Sequence, residues 1–255
     1  ADMSATYEVQ YVGDAVLGPD KKRWSLHMKD LMRETGLQRQ AIHFYIKEGL
    51  IPPGIKSSRN MAWYGAHHLE RLKLIRRLQH ERFLPLKAIK AALAGAQGEF
   101  VPGQQAFIRE VQRHVEGPLR MPAKVASVRL SEVLERTKTT SGDVEELVDL
   151  GVLAVVEGRD DLIIATSDVW ALELVAELRA LGFTEQAGFR VRDLGIYEDA
   201  VSELFARETA LIAERLTSFK PAVAARMVQR LIPLVHTFIE RSHEAKIRNF
   251  LALSE

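Results

Sequence analysis

The sequence predicts a mainly α protein: an N-terminal winged helix-turn-helix, a second winged-helix-like repeat and long C-terminal helices, with β structure limited to small wings. Three observations predict it. Apolar residues recur at helical spacing over most of the chain. The stretch Ser25 to Leu93 runs helix, Gly turn, helix, Pro/Gly-rich loop, helix, helix. The apolar pattern of that stretch then returns about 100 residues later.

Composition narrows the function classes. A chain of 255 residues can bury a core and divides naturally into one or two domains. With 47% hydrophobic and 27% charged residues it has neither the signature of disorder nor an apolar run able to span a bilayer. Residues 1–22 lack the basic-then-apolar layout of a secretory signal and are expected to form a loose tail, which predicts a cytoplasmic protein. Cysteine is absent, excluding disulfides, thiolate sensing and Cys-ligated metals. Only His67 and His68 adjoin, and helix neighbours face different ways, so neither a metal nor a cofactor is expected.

The net charge of +1 hides an asymmetry. Lys21 to Lys90 holds 16 Lys/Arg against 5 Asp/Glu, a net of +11. Ser131 to Ala210 holds 7 against 18, a net of −11. The basic segment suits a polyanion, because each cation near a phosphate releases condensed counterions.

In chain order, Ser25 can cap a first helix with Leu26, Leu31 and Met32 on its apolar side. Gly36 supplies the turn. A second helix over Gln38 to Lys47 turns Ala41, Ile42, Tyr45 and Ile46 inward and Gln38, Arg39, Gln40 and His43 outward. Gly49 suits its left-handed end, and Pro52-Pro53-Gly54 forbids further helix. The loop that follows carries Lys56, Arg59 and Asn60 before Trp63 and Tyr64. Helix three, Ala66 to His80, buries Leu69, Leu72, Ile75 and Leu78 and exposes Arg71, Lys73, Arg76 and Arg77; Pro85 opens a fourth helix.

This stretch resembles the winged helix-turn-helix head of the MerR family of bacterial transcription regulators. The resemblance covers about 70 of 255 residues. It rests on the Ala41-Ile42-His43-Phe44-Tyr45 run, Gly49-Leu50-Ile51-Pro52-Pro53, Tyr64 and the helix from Leu69 to Phe83. It implies that the second helix enters the major groove of duplex DNA while the wing grips the adjacent backbone. Gln38, Arg39, Gln40 and His43 would then lie at base edges and Tyr45 at a phosphate, with Lys56, Arg59, Asn60, Tyr64 and Arg71 as further DNA contacts. Two positions depart from the family. Arg is usual where this chain has Gln40 and His43, and Asn60-Met61-Ala62-Trp63 replaces an Asn-Gly-Tyr-Arg-like wing, which shifts the wing contact to Arg59 or Lys56.

From Ala94 to Lys124 Gly and Pro punctuate the chain, leaving one short helix over Gln104 to Glu116. The long dimerisation helix that follows most MerR heads has no good copy here. The segment from Leu26 then aligns without gaps on that from Val128, Leu31 falling on Val133, Ile42 on Val144 and Gly49 on Gly151. After a wing shorter by two residues, Leu72 meets Leu172 and Phe83 meets Phe183. The second copy carries Asp143, Glu145, Glu146 and Asp149 on its equivalent of the reading helix and Asp160-Asp161 in its wing, so it is expected to repel phosphate.

From Tyr197 the chain reads as helical to its end. One helix over Glu198 to Ser218 is followed by a long one opened by Pro221 and kinked near Pro233. Their apolar stripes suit either core packing or a four-helix dimer interface. A small apolar effector could lie among Trp170, Phe189, Tyr197, Phe205 and Phe238. The expected domains are a tail 1–22, the head 23–95, a linker 96–127, the acidic unit 128–196 and dimerisation or effector helices 197–255.

These expectations describe a sequence-specific, nucleoid-associated transcription regulator. It would act as a homodimer on a two-fold promoter operator, touch RNA polymerase indirectly and respond to an effector. The alternative is an architectural or recombination-accessory DNA-binding protein without one. No Gly-rich phosphate loop, nucleophile motif or His/carboxylate cluster points to an enzyme.

Overall fold

The computed structural model describes residues 24–58, 61–95, 102–116, 122 and 124–253. The chain divides into two compact units between Arg77 and Leu78. That point lies inside a helix and ahead of the boundary expected near residue 95.

The first unit holds α1 (Met28–Thr35), α2 (Arg39–Lys47), an antiparallel pair β1 (Ile55–Ser58) and β2 (Met61–Trp63), and most of α3 (Ala66–Arg82). Ser25 is not the cap of α1. Leu26 is drawn into a backbone bridge with Tyr64, which keeps the chain extended through His27. His27 N then donates to Asp30 Oδ2 at 2.9 Å, and this bond leads the causes that hold the Asp30 carboxyl below its usual pKa. Leu31, Ile42, Tyr45, Leu72 and Ile75 are buried, as their helical spacing requires, and Leu50 and Ile51 are buried in the loop after α2. At Gly54 even one Cβ would lie 2.7 Å from Trp63 O and from the Tyr64 ring, so the chain crosses the wing base only as glycine.

The second unit contains α4 (Leu86–Gly95), α5 (Pro102–His114), β3 (Ser127–Arg129), α6 (Leu130–Thr137), α7 (Ser141–Leu150), β4 (Val156–Glu157), β5 (Leu162–Ala165) and α8 (Trp170–Ala180). The antiparallel order is β3-β5-β4. Strand β3 was not expected from the sequence. One apolar cluster joins Leu130, Val133, Val144, Leu147, Leu172 and Val191, and a second joins Phe83 to Ala154, Val156 and Ala165.

Local structure repeats with the sequence. Helix α6 begins and ends 102 residues after α1. Leu50 N and Ile51 N both donate to Tyr45 O, at 2.8 and 3.3 Å; Val152 N and Leu153 N do the same to Leu147 O, at 3.0 and 3.3 Å. Thr35 Oγ1 bonds Leu31 O at 2.6 Å, and Thr137 Oγ1 bonds Val133 O at 2.7 Å. The Leu26–Tyr64 bridge returns as the Val128–Ile164 pair. Matching hydrogen bonds as well as matching apolar positions are what a duplicated fold produces.

Helices α9 (Gly195–Leu216) and α10 (Pro221–Ala252) end the chain. Proline at the first turn of α10 matches its fixed φ, and the helix continues through Pro233. Helix α10 packs along α5, where Gln229 Nε2 donates to Glu116 O at 2.7 Å.

Candidate nucleic-acid interface

The interface candidate is built on α2. Gly36 takes a left-handed turn (φ +70°) and its amide donates to Met32 O at 2.8 Å, closing α1 so that α2 can start three residues later. The Arg76 guanidinium bonds Thr35 O and lies 3.1 Å from where a Gly36 Cβ would be. Arg76 is thus a brace for the turn and not simply a solvated cation.

Helix α2 has two unlike sides. Ile42 and Tyr45 are buried, while Arg39, His43 and Lys47, at successive four-residue spacing, are exposed. Gln38 and Gln40 are exposed beside them, Gln38 being the extended residue before the helix. Phe44 is 45% exposed, so it belongs to the outer face and not the core. Among the described residues neither Arg39 nor Lys47 is held in an ion pair, whereas Arg33 on α1 is paired with Asp30 and Glu34, both at 3.1 Å. The outer face of α2 is therefore rigidly backed, polar and cationic. It offers amide, guanidinium and imidazole donors suited to base edges and phosphates.

The other expected contacts are placed differently. Lys56 on β1 is exposed. Arg59 and Asn60 lie outside the described residues. Tyr45 is only 6% exposed and Tyr64 only 3%. Burial raises the Tyr64 phenol pKa, against the opposing field of Arg39. Arg71 is half-buried, and its Nε donates to Leu50 O at 2.6 Å, tying α3 to the loop after α2. Arg71 and the two tyrosines act at least as parts of the frame that presents α2.

The burial of His68 was not expected from the sequence, although its spacing to Leu72 and Ile75 puts it on the inner face of α3. It is fully buried, its Nδ1 accepting from Gly65 N at 3.0 Å, with the rings of Trp24, Tyr64 and His67 around it at 5.4, 5.3 and 3.9 Å between centroids. Burial, followed by the neighbouring His67, lowers its pKa to about 4. This histidine is neutral at physiological pH and secures the junction of wing and α3.

The second unit lacks this face for a reason the sequence only half discloses. Asp143, expected to point outward on α7, is buried. Its Oδ2 accepts from Thr140 N at 2.7 Å, a cap of α7, and Arg179 Nη1 donates to it at 2.8 Å. Glu146, at the Phe44 position, is bound by Arg192 through the backbone N at 2.9 Å and through Nη2 at 2.8 Å. Burial raises its pKa, and the Arg192 hydrogen bonds outweigh that and leave it low. Asp161, expected to repel phosphate from the wing, instead accepts from Ser131 N at 3.3 Å at the start of α6. Of the α7 carboxylates, Glu145 and Asp149 remain exposed. Carboxylates thus displace cations on this helix, and two of its four, Asp143 and Glu146, are spent inside the unit.

The five aromatics proposed for an effector are all exposed: Trp170 53%, Phe189 45%, Tyr197 58%, Phe205 67% and Phe238 73%. Phe189 meets Phe183 edge-on at 4.8 Å. No helix among the described residues is long and apolar enough to cross a membrane.

Comparison with known proteins agrees with this geometry. Residues 26–96 match the family described as MerR HTH family regulatory protein. Two relatives described as HTH-type transcriptional regulator CueR, from Salmonella typhi and Salmonella typhimurium (strain LT2), are each 33% identical over 58 residues. The match covers 23% of this chain and 42% of theirs, so it spans less than half of those relatives. The solved structure of SCO5550 from Streptomyces coelicolor A3(2) aligns over 87% of this chain and 97% of that one. Its identity is 18% and its TM-score 0.25, too low to bear on the fold.

Proposed function

We propose that this chain, whose residues 26–96 are a MerR-family helix-turn-helix domain, is a sequence-specific transcription regulator that binds duplex DNA as a homodimer on a two-fold promoter operator. The single observation that supports this most strongly is the outer face of α2: Arg39, His43 and Lys47 stand exposed in one line on a helix whose other side is buried. Lys56 on the wing extends the cationic surface. Two heads on one operator follow from size, because a single head covers too little DNA for high specificity. What the family resemblance implies is control by distorting the promoter between its polymerase elements, with RNA polymerase sensing the DNA rather than the protein. A cytoplasmic, nucleoid-associated location belongs to the same proposal.

Effector control is proposed through the second unit and the C-terminal helices. It is supported by the exposed aromatic surface rather than by a cavity, so a small apolar ligand would bind where that surface is covered. The architectural alternative differs in having no ligand response.

The test is a titration of the full chain against a labelled palindromic promoter fragment and a scrambled one, at several salt concentrations. The expected result is tighter binding to the palindrome, with a log affinity that falls steeply against log salt. Equal binding to both fragments would remove sequence specificity, and binding insensitive to salt would remove the phosphate interface.

A further inference from the structure

Helices α9 and α10 leave an unusual amount of apolar surface in water. On α9, Tyr197, Val201, Leu204, Phe205 and Leu211 form one exposed stripe. On α10, Met227, Leu231, Leu234 and Phe238 are exposed at four-, three- and four-residue steps, the spacing of a helix-pairing seam. Such stripes exceed what a monomer ordinarily leaves bare.

The distal part of α10 needs support. No residue from Phe238 to Ala252 is buried, although this stretch is helical and about 22 Å long at 1.5 Å per residue. An isolated helix of that length is marginal in water, so its order calls for a covering surface. Charge identifies the cover. Helix α9 carries five Asp/Glu against two Arg, a net of −3, and α10 carries five Lys/Arg against two Glu, a net of +3. The two helices thus carry opposite net charge, and a two-fold axis can lay each against its opposite on a second copy.

From this we infer that α9 and α10 form the homodimer interface, α9 of each protomer lying against α10 of its partner in a four-helix arrangement. This deepens the homodimer proposal above by naming the surface. It also assigns to the end of the chain the pairing role for which the short α5 is too brief.

The experiment is native mass spectrometry with sedimentation on the full chain at tens of micromolar. The wild type is expected at twice the 28.7 kDa chain mass. Leu234→Glu with Phe238→Glu is expected at the single mass, with unchanged helical circular dichroism over the remainder. Charge gives a test that does not depend on disrupting apolar packing. A chain with Glu203→Lys and Glu214→Lys, and another with Arg230→Glu and Arg241→Glu, should each dimerise at least tenfold more weakly alone. Mixed, they should recover a heterodimer. A monomeric wild type, a Leu234→Glu/Phe238→Glu chain that stays dimeric, or charge variants that fail to recover on mixing would each overturn the interface. A monomeric wild type that still prefers the operator would overturn the interface alone and leave the DNA-binding proposal standing.

Discussion

Lowering the pH should loosen the DNA-binding head through His68. The imidazole is fully buried with its Nδ1 occupied by the Gly65 amide, and its folded pKa is about 4 against 6.5 when exposed. The folded head therefore binds the proton less well than the unfolded chain. Its contribution to stability is complete above pH 6.5 and is lost as the pH falls toward 4. Linkage over pH 7 to 5 gives about 2 kcal/mol, and solvent screening trims this to between about 1 and 2 kcal/mol. The measurement is urea unfolding followed by tryptophan fluorescence in a Trp170→Phe background. Trp24 and Trp63, both in the head, are then the only reporters. His68→Asn retains an acceptor near the Nδ1 position without the titration. The wild-type midpoint should fall between pH 7 and 5 while that of His68→Asn stays nearly level. Parallel pH profiles would show that His68 is not the group responsible.

Three further outcomes follow from named contacts. Asp143→Ala removes the α7 cap and leaves Arg179 unpaired, and should destabilise the second unit by about 3 kcal/mol, read by Trp170 fluorescence in urea. Gly54→Ala forces a Cβ against Trp63 O and Tyr64, and should lower the head's stability by about 1 to 3 kcal/mol, read by Trp24 and Trp63 fluorescence in urea in the Trp170→Phe background. Lys56→Ala should weaken binding to palindromic and scrambled DNA alike and reduce the salt slope by about 1, as loss of a phosphate contact does.

Helical spacing was enough to place α1, α2, α3 and the repeat, because Leu31, Ile42, Leu72 and their partners 100 to 102 residues on have to face inward whatever surrounds them. Helix α9 and the Pro221 start of α10 were legible for the same reason. What could not be read depended on distant partners. Asp143 looks like a surface carboxylate until Arg179, 36 residues later, is brought beside it. Its Thr140-x-x-Asp143 capping pattern was the one local clue. Asp161 is redirected by Ser131, and Arg71 and Arg76 by carbonyls of Leu50 and Thr35. His68 stands four residues before Leu72 and seven before Ile75 on the buried face of α3, and its polarity, not its spacing, hid its place in the core. The outer face of α2 was the most legible part of the site, since exposed Gln38, Arg39, Gln40 and His43 follow from the inward positions of Ile42 and Tyr45.

The absence of native cysteine permits a direct test of which helix enters the groove. His43→Cys and Glu145→Cys place a single thiol on α2 and at the equivalent position of α7. Each can carry an iron-chelate cleavage probe while the chain is bound to operator DNA. Cleavage from position 43 should fall in two clusters about one helical turn apart, ~34 Å, and position 145 should give none. Strong cleavage from 145, or none from 43, would contradict the assignment of α2 as the helix that reads DNA.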